Sequence, residues 1–130
     1  MLSRGRARYQ TVNNVSSVTG RSPIELVILV YDRIADQLLA AEAAITANRR
    51  AALGEAVQQA IDLIEQGLVA ALNHDQGGEV SANLGRVYDY CLRRLLQANL
   101  WRDIEMLREV AQLLAELRAG WEAIRVGGVN

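Results

Sequence analysis

The chain contains no phenylalanine and no lysine, and it has one proline, one cysteine and one histidine among its 130 residues. Aromatic residues make up only 5% of the sequence while hydrophobic residues reach 51%, so the core must be built from Leu, Ile, Val and Ala. A single proline together with abundant Ala and Leu favours helix over sheet. The length suits a single domain, residues 1–130, with enough residues to bury a real core.

Several classes of protein are excluded by what is missing. Cys91 has no second cysteine to pair with, which rules out an internal disulfide and fits a reducing compartment. No run approaches the roughly 20 apolar residues that cross a bilayer, and the N-terminus lacks the apolar region of a secretory signal. The net charge is -1, whereas proteins that bind nucleic acid usually carry a stripe of basic residues on their surface. We therefore expect a soluble, cytosolic protein that does not insert into a membrane and does not bind nucleic acid.

The residues that carry catalysis or hold metals are also scarce. A di-iron helical bundle needs Glu-x-x-His pairs on facing helices, and His74 is the only histidine. A zinc site would have one His and one Cys, which are far apart in sequence. We expect His74 to be a solvated residue of a polar turn, Cys91 to be buried, and the chain to have no cofactor, no metal and no enzymatic activity. A small metallo-enzyme is a rival reading that stoichiometric iron or zinc would revive.

Four stretches show the spacing of amphipathic helices. Ser22-Pro23-Ile24-Glu25 combines an N-cap serine, proline at the first helical position and Glu at the third, and predicts a helix from Pro23 to about Asn48. Three more helices are predicted at about 50–72, 79–100 and 102–125, with a polar turn over 73–78. The predicted fold class is all-α: an antiparallel four-helix bundle over residues 22–126, preceded by a short capping segment.

Each predicted helix has one inner face of apolar residues three or four positions apart. In chain order these faces are Val27, Tyr31, Ile34, Leu38, Ala41 and Ile45; Leu53, Val57, Ile61, Ile64, Leu68 and Leu72; Val80, Leu84, Val87, Tyr88, Cys91, Leu95 and Ala98; and Leu107, Val110, Leu114, Leu117 and Trp121.

Two helices carry more apolar residues than one inner face needs. Seven of the eight residues from Ile24 to Tyr31 are apolar, so Leu29 should point outward with Leu26 and Ile28 on the two flanks. In the third helix, Leu92, Leu96 and Leu100 step away from the inner face. Such a surplus favours a groove for a flexible peptide that folds into a helix as it docks. The alternatives are a broader core, cover by the N-terminal segment, or a homodimer that uses the same patches on itself.

The first 21 residues form a polar segment with few apolar positions. Tyr9, Val12, Val15 and Val18 are three apart and share one side of a short helix, although Asn, Ser and Val are weak helix formers. The pattern predicts a flexible cap that orders when docked, occupies the groove and yields to a better ligand. Deleting residues 1–18 should then strengthen the binding of peptide.

Several motifs resemble those of one protein family, the FliS flagellar export chaperones. Near the start they are Tyr9-Gln10-Thr11-Val12-Asn13, Ser22-Pro23 and Val30-Tyr31-Asp32-Arg33. Later they are Gly77-Gly78-Glu79-Val80, Asn83-Leu84, Val87-Tyr88-Asp89-Tyr90, Arg93-Arg94-Leu95, Ala98-Asn99 and Trp121-Glu122. The similarity follows the order and spacing of the family over nearly the whole chain.

The resemblance implies which protein this chain binds and where it delivers that protein. FliS proteins bind the disordered C-terminal region of flagellin in the cytosol, prevent premature polymerisation, and present the flagellin to the export gate protein FlhA. In the family, the flagellin tail displaces the N-terminal cap of an antiparallel helical bundle. Other flagellar regulators are further candidate partners.

The residues expected to bind the tail fall into three groups. Expected contacts are Leu26, Ile28, Leu29, Tyr90, Leu92 and Leu96. Asn83 and Asn99 are expected polar anchors. Tyr31 and Tyr88 are expected to be core residues whose hydroxyls reach the surface.

Overall fold

The computed structural model describes residues 21–72 and 74–127, with the backbone alone for 74–76. Helix α1 spans Pro23–Thr46, α2 spans Arg50–Leu63 and continues as a π-helical segment over Ile64–Val69, α3 spans His74–Trp101, and α4 spans Ile104–Val126. These ranges contain no β-strand, so the predicted all-α class is confirmed. The predicted cap residues Tyr9, Val12, Val15 and Val18, and the side chain of His74, lie outside the described part.

Helix α1 begins at the predicted residue because its first turn caps itself. The Ser22 hydroxyl accepts a hydrogen bond from the Glu25 amide at 3.2 Å, and the Glu25 carboxylate accepts one from the Ser22 amide at 2.9 Å. Pro23 occupies the first turn, where no intrahelical partner for its missing N–H is needed. Two N-terminal donors are thereby satisfied within the segment itself.

The four helices form a ring in which each packs against its neighbours in sequence and α4 closes against α1. This order is that of an antiparallel up-and-down bundle. The core is aliphatic apart from Tyr31, Tyr88 and Cys91, all at most 2% exposed. Two ion pairs tie α4 to α1: Arg118 Nε lies 2.6 Å from Asp32 Oδ1, and Arg108 Nη2 lies 3.0 Å from Glu42 Oε2.

The predicted inner faces are confirmed for most positions and wrong at one end of α3. Val80 is 68% exposed, while the next residue, Ser81, is 6% exposed and takes the inward position. A break at Gly78, whose φ is 54°, separates the first turn of α3 from the rest of the helix. Val80 lies one turn before Leu84 on the same side of α3, so its exposure reflects its place at the open end of the bundle. The polar turn predicted over 73–78 is wrong for 74–77, which are helical.

The second helix is not regular to its end, although the apolar spacing predicted a helix through Leu72. Over Ile64–Val69 the backbone is π-helical, and the Ala70 amide bonds the carbonyl of Glu65, five residues back, at 3.1 Å. Gly67 lies in this segment against α1, where a Cβ atom would stand 2.8 Å from Val30 Cγ1. A π turn of this kind often accompanies a functional site.

In the described part of the chain, every helix is too short or too polar to cross a lipid bilayer.

Candidate functional site

An apolar groove of about 290 Å³ opens at one end of the bundle. The start of α1, the π segment, the start of α3 and the end of α4 meet there, because antiparallel helices bring these ends together. The groove walls include Val27, Leu68, Leu72, Leu84, Tyr88 and Trp121. Four of the six are only half-buried, and among the residues that the structure describes no further layer covers these last inner-face positions.

Two side chains of the groove wall, Tyr88 and Trp121, are joined through the hydroxyl of Tyr31. The hydroxyls of Tyr31 and Tyr88 lie 2.5 Å apart, and Trp121 Nε1 donates to the Tyr31 hydroxyl at 3.3 Å. Burial raises the pKa of both phenols, so neither ionises near neutral pH. The expectation that these hydroxyls reach the surface is wrong, because both residues are 2% exposed and their hydroxyls bond each other.

The rim of the groove adds exposed apolar surface. Val80 lines the groove and is 68% exposed, and Ile124, one turn beyond Trp121, is 44% exposed. Large apolar side chains left in water next to an apolar concavity are typical of a surface that binds another polypeptide.

A second apolar surface lies at the far end of α3, where Leu96, Leu100 and Trp101 are 59%, 67% and 62% exposed. The outward positions predicted for Leu96 and Leu100 are confirmed, whereas Leu92 is half-buried against the core. A Cβ atom at Gly85 would lie 3.6 Å from Leu72, so this face of α3 points toward α2. Leu92 and Leu96, seven and eleven residues later, share that face.

The opposite flank of α3 is bound to α4. The Tyr90 hydroxyl donates to Glu109 Oε2 at 2.6 Å, and Arg94 Nε donates to Glu109 Oε1 at 2.8 Å. The hydrogen bond from Tyr90, and then that from Arg94, hold the pKa of the Glu109 carboxyl below its usual value. Tyr90 therefore lies on a different side of α3 from Leu92 and Leu96, and the predicted contact residues do not form one surface.

The remaining predicted residues are scattered. Leu26 and Leu29 are half-buried on α1, Asn99 is half-buried, and exposed Asn83 accepts a hydrogen bond from Arg86. Ile28, which was expected on a flank of α1 as a contact residue, is 7% exposed and therefore buried. Ile28 lies one turn before Asp32, which is paired with Arg118 of α4.

Val27, Leu72, Leu84 and Trp121 line the groove, whereas the sequence pattern assigned them only to the inner faces of the helices. Their positions near the ends of the predicted inner faces were the one sign that they lie at an end of the bundle. Val27 lies near the start of α1, Leu72 just after the π segment, Leu84 in the early part of α3 and Trp121 near the end of α4, and these parts of the chain meet on the same side of the bundle, where an inner face becomes the floor of an opening.

Comparison with known proteins decides the family. The model of the family described as flagellar protein FliS matches residues 5–127. The chain belongs to the FliS family. The flagellar secretion chaperone FliS of Salmonella typhimurium is 38% identical over 120 residues, which cover 92% of this chain and 89% of that protein. FliSB of Pseudomonas aeruginosa is 34% identical over 117 residues, covering 90% and 92% of the two chains. FliS of Bacillus subtilis is 32% identical over 112 residues, covering 86% and 82%. The resemblance to this family of flagellar chaperones is thus confirmed.

Proposed function

We propose that this chain, as one helical domain, binds the disordered C-terminal segment of flagellin in the cytosol. It thereby prevents premature polymerisation and delivers flagellin to the flagellar export apparatus through the gate protein FlhA. The observation that carries the proposal is the apolar groove at the open end of the bundle, with Val80 exposed on its rim. Membership of the FliS family supports the same assignment.

In the proposed mechanism, the groove competes with other flagellin tails for the apolar face of a free tail. The apolar face of a free flagellin tail would otherwise associate with other tails, and the groove removes it from water instead. Each Leu or Ile side chain transferred from water contributes about 1.5–3 kcal/mol. Ordering a disordered tail offsets part of this gain, which leaves micromolar or tighter affinity for a few anchors and still permits release at the gate. The chain contributes binding and no catalytic step.

The tail reaches both apolar surfaces of α3. Val80 at the groove and Leu100 at the far end are twenty residues apart, which corresponds to about 30 Å of helix axis. A bound segment that touches both surfaces spans that length along the α2 side of α3, over Leu92 and Leu96. Leu26, Leu29 and the polar residues Asn83 and Asn99 are further proposed contacts.

The proposal is tested by calorimetric titration with the C-terminal peptide of flagellin from the same cell, with circular dichroism to follow helix formation in the peptide. A 1:1 complex with added helical signal is the expected result. Val80→Asp should weaken binding at least tenfold, because it places a charge on the rim. Leu39→Asp is the matched control, since Leu39 is also 68% exposed but lies on α1 outside the groove lining.

A homodimer is the alternative that the exposed Leu96, Leu100 and Trp101 favour. Sedimentation separates the two functions. A monomer–dimer equilibrium that does not respond to peptide, with no heat of binding, supports the dimer and rules out the chaperone proposal.

A further inference from the structure

We infer that the indole ring of Trp121 is an apolar contact for the segment that fills the groove, and that Tyr31, which does not line the groove, holds this ring in position. This inference rests on the proposed function, since the ligand is the flagellin segment. It assigns part of the affinity to Tyr31, a residue that is 2% exposed and lies out of reach of a ligand.

Trp121 is the largest side chain of the groove wall and belongs to the last two turns of α4. It is half-buried, so part of its ring is open to solvent next to the apolar concavity. Tyr88, the other aromatic residue of the wall, is 2% exposed and offers a ligand little surface. Large aromatic side chains at the edge of an apolar pocket often provide much of the affinity for a polypeptide ligand.

The one polar atom of the Trp121 ring is used inside the protein. Nε1 donates to the Tyr31 hydroxyl at 3.3 Å, across the junction between α4 and α1. The Tyr31 hydroxyl also lies 2.5 Å from the Tyr88 hydroxyl. Since the indole N–H is the only hydrogen-bonding group of tryptophan, the ring presents only carbon atoms to a ligand.

The bond to Tyr31 fixes the orientation of the ring before a ligand arrives. A large side chain that is free to change its rotamer has to be ordered when a ligand docks on it, which lowers affinity by about twofold to tenfold. A ring that is already held in place avoids most of this loss. Tyr31 is therefore a positioning residue, which acts on the ligand through Trp121.

Removal of the Tyr31 hydroxyl should free the ring without moving the helices. Asp32 follows Tyr31 in α1, and Arg118 lies three residues before Trp121 in α4. Arg118 Nε lies 2.6 Å from Asp32 Oδ1, and the Tyr31 ring is packed in the hydrophobic core. These contacts do not involve the hydroxyl, so Phe at position 31 keeps them.

The first test is calorimetric titration of Tyr31→Phe with the C-terminal peptide of flagellin, with thermal unfolding to verify that the variant folds. Affinity should fall by about twofold to tenfold. Tyr90→Phe is the matched control, because it also loses the hydrogen bond of a phenol, here to Glu109, but does not line the groove. Its affinity should stay within about twofold. An unchanged affinity for Tyr31→Phe, or an equal loss for Tyr90→Phe, would overturn the inference.

A double-mutant cycle separates positioning from a general effect on the fold. Trp121→Phe removes the indole donor and part of the contact surface, so it should weaken binding by itself. Tyr31→Phe added to Trp121→Phe should then change affinity by less than about twofold, because no N–H is left to position. If Tyr31→Phe costs as much with Phe at position 121 as with Trp, Tyr31 does not act through Trp121 and the inference is wrong.

Fluorescence gives a readout that needs no change in the groove. The chain has two tryptophans, so in Trp101→Phe the emission comes from Trp121 alone. Bound peptide should shift this emission to shorter wavelength and reduce its quenching by acrylamide, since the ring leaves water. Bound peptide that leaves emission and quenching unchanged would show that it does not contact Trp121. If the peptide does not bind the parent protein in calorimetry, the proposed function itself fails, which is a different result.

Discussion

Arg102 donates from Nη1 to Asn48 Oδ1 at 2.9 Å, which joins the turn between α3 and α4 to the turn between α1 and α2. Both residues have left-handed backbones, with φ of 50° and 57°. In each turn the amide of the following residue bonds a carbonyl five positions back: Arg49 to Ala44 at 2.8 Å and Asp103 to Ala98 at 3.1 Å. The end of the bundle opposite the groove is thus closed by two Schellman turns that are bonded to each other.

The left-handed backbone at Arg102 should make the protein more stable with glycine at this position than with alanine. Arg102→Gly and Arg102→Ala both remove the bond to Asn48, so their difference isolates the backbone. Because a left-handed backbone costs a residue with a Cβ atom about 1–2 kcal/mol, Arg102→Gly should be more stable than Arg102→Ala by about 1 kcal/mol. Urea unfolding measures both free energies, and equal values would contradict the assignment of strain to this residue.

The contact between Gly67 and Val30 should make the π segment intolerant of a side chain. Gly67→Ala is expected to destabilise the fold by about 1–3 kcal/mol, since the new Cβ atom would overlap a packed methyl group. Gly120→Ala in α4 is the control, because nothing lies within 4 Å of its added Cβ atom. That variant should gain about 0.5–1 kcal/mol from reduced chain entropy. A loss for both variants, or for neither, would show that the close approach does not matter.

Acid should weaken the junction between α3 and α4. Hydrogen bonds from Tyr90 and Arg94 lower the pKa of Glu109 below the ordinary 4.5, so its contribution to stability is present above that value. The contribution is lost as the pH falls through the lower pKa of the folded state. Tyr90→Phe should therefore lose less stability than the parent between neutral pH and about pH 3. Chemical unfolding at both pH values provides the measurement, and an unchanged difference would refute the coupling.

Cys91 should react with thiol reagents only when the bundle opens. It is fully buried, and burial raises the pKa of its thiol to about 11. The thiolate is the reactive form, so labelling at neutral pH should be slow in the native protein and fast in urea. Bound peptide should slow the labelling further, because a ligand of the folded state stabilises it. Rapid labelling under native conditions would contradict the burial.

The parts of the fold that could be predicted from the sequence are those with local causes. Ser22 and Glu25 cap α1 through atoms three residues apart, and the inner faces follow from a period that each helix carries in its own sequence. The π segment contains Gly67, which closely approaches Val30 on another helix. No spacing within 50–72 reports that contact.

The sequence predicted that exposed apolar residues would form the candidate site, but it did not predict where the groove lies. The excess of leucines on α3 correctly predicted that Leu96 and Leu100 are exposed to solvent. The groove itself depends on where parts of four helices meet at one end of the bundle, which leaves Val80 exposed on its rim. The burial of Ile28 could not be predicted either, because the exposure of a helix flank depends on what packs against it in three dimensions.

The π segment also alters what a change of length does to α2. Losing one residue from a regular helix rotates everything beyond it by about 100° and would turn an inner face toward water. Ile64–Val69 already holds one residue more than an α-helical path would need. Removing a residue there should convert the segment to ordinary helix and leave the orientation of the groove wall beyond it unchanged. We therefore expect α2 to tolerate a one-residue deletion in this segment better than a regular helix would.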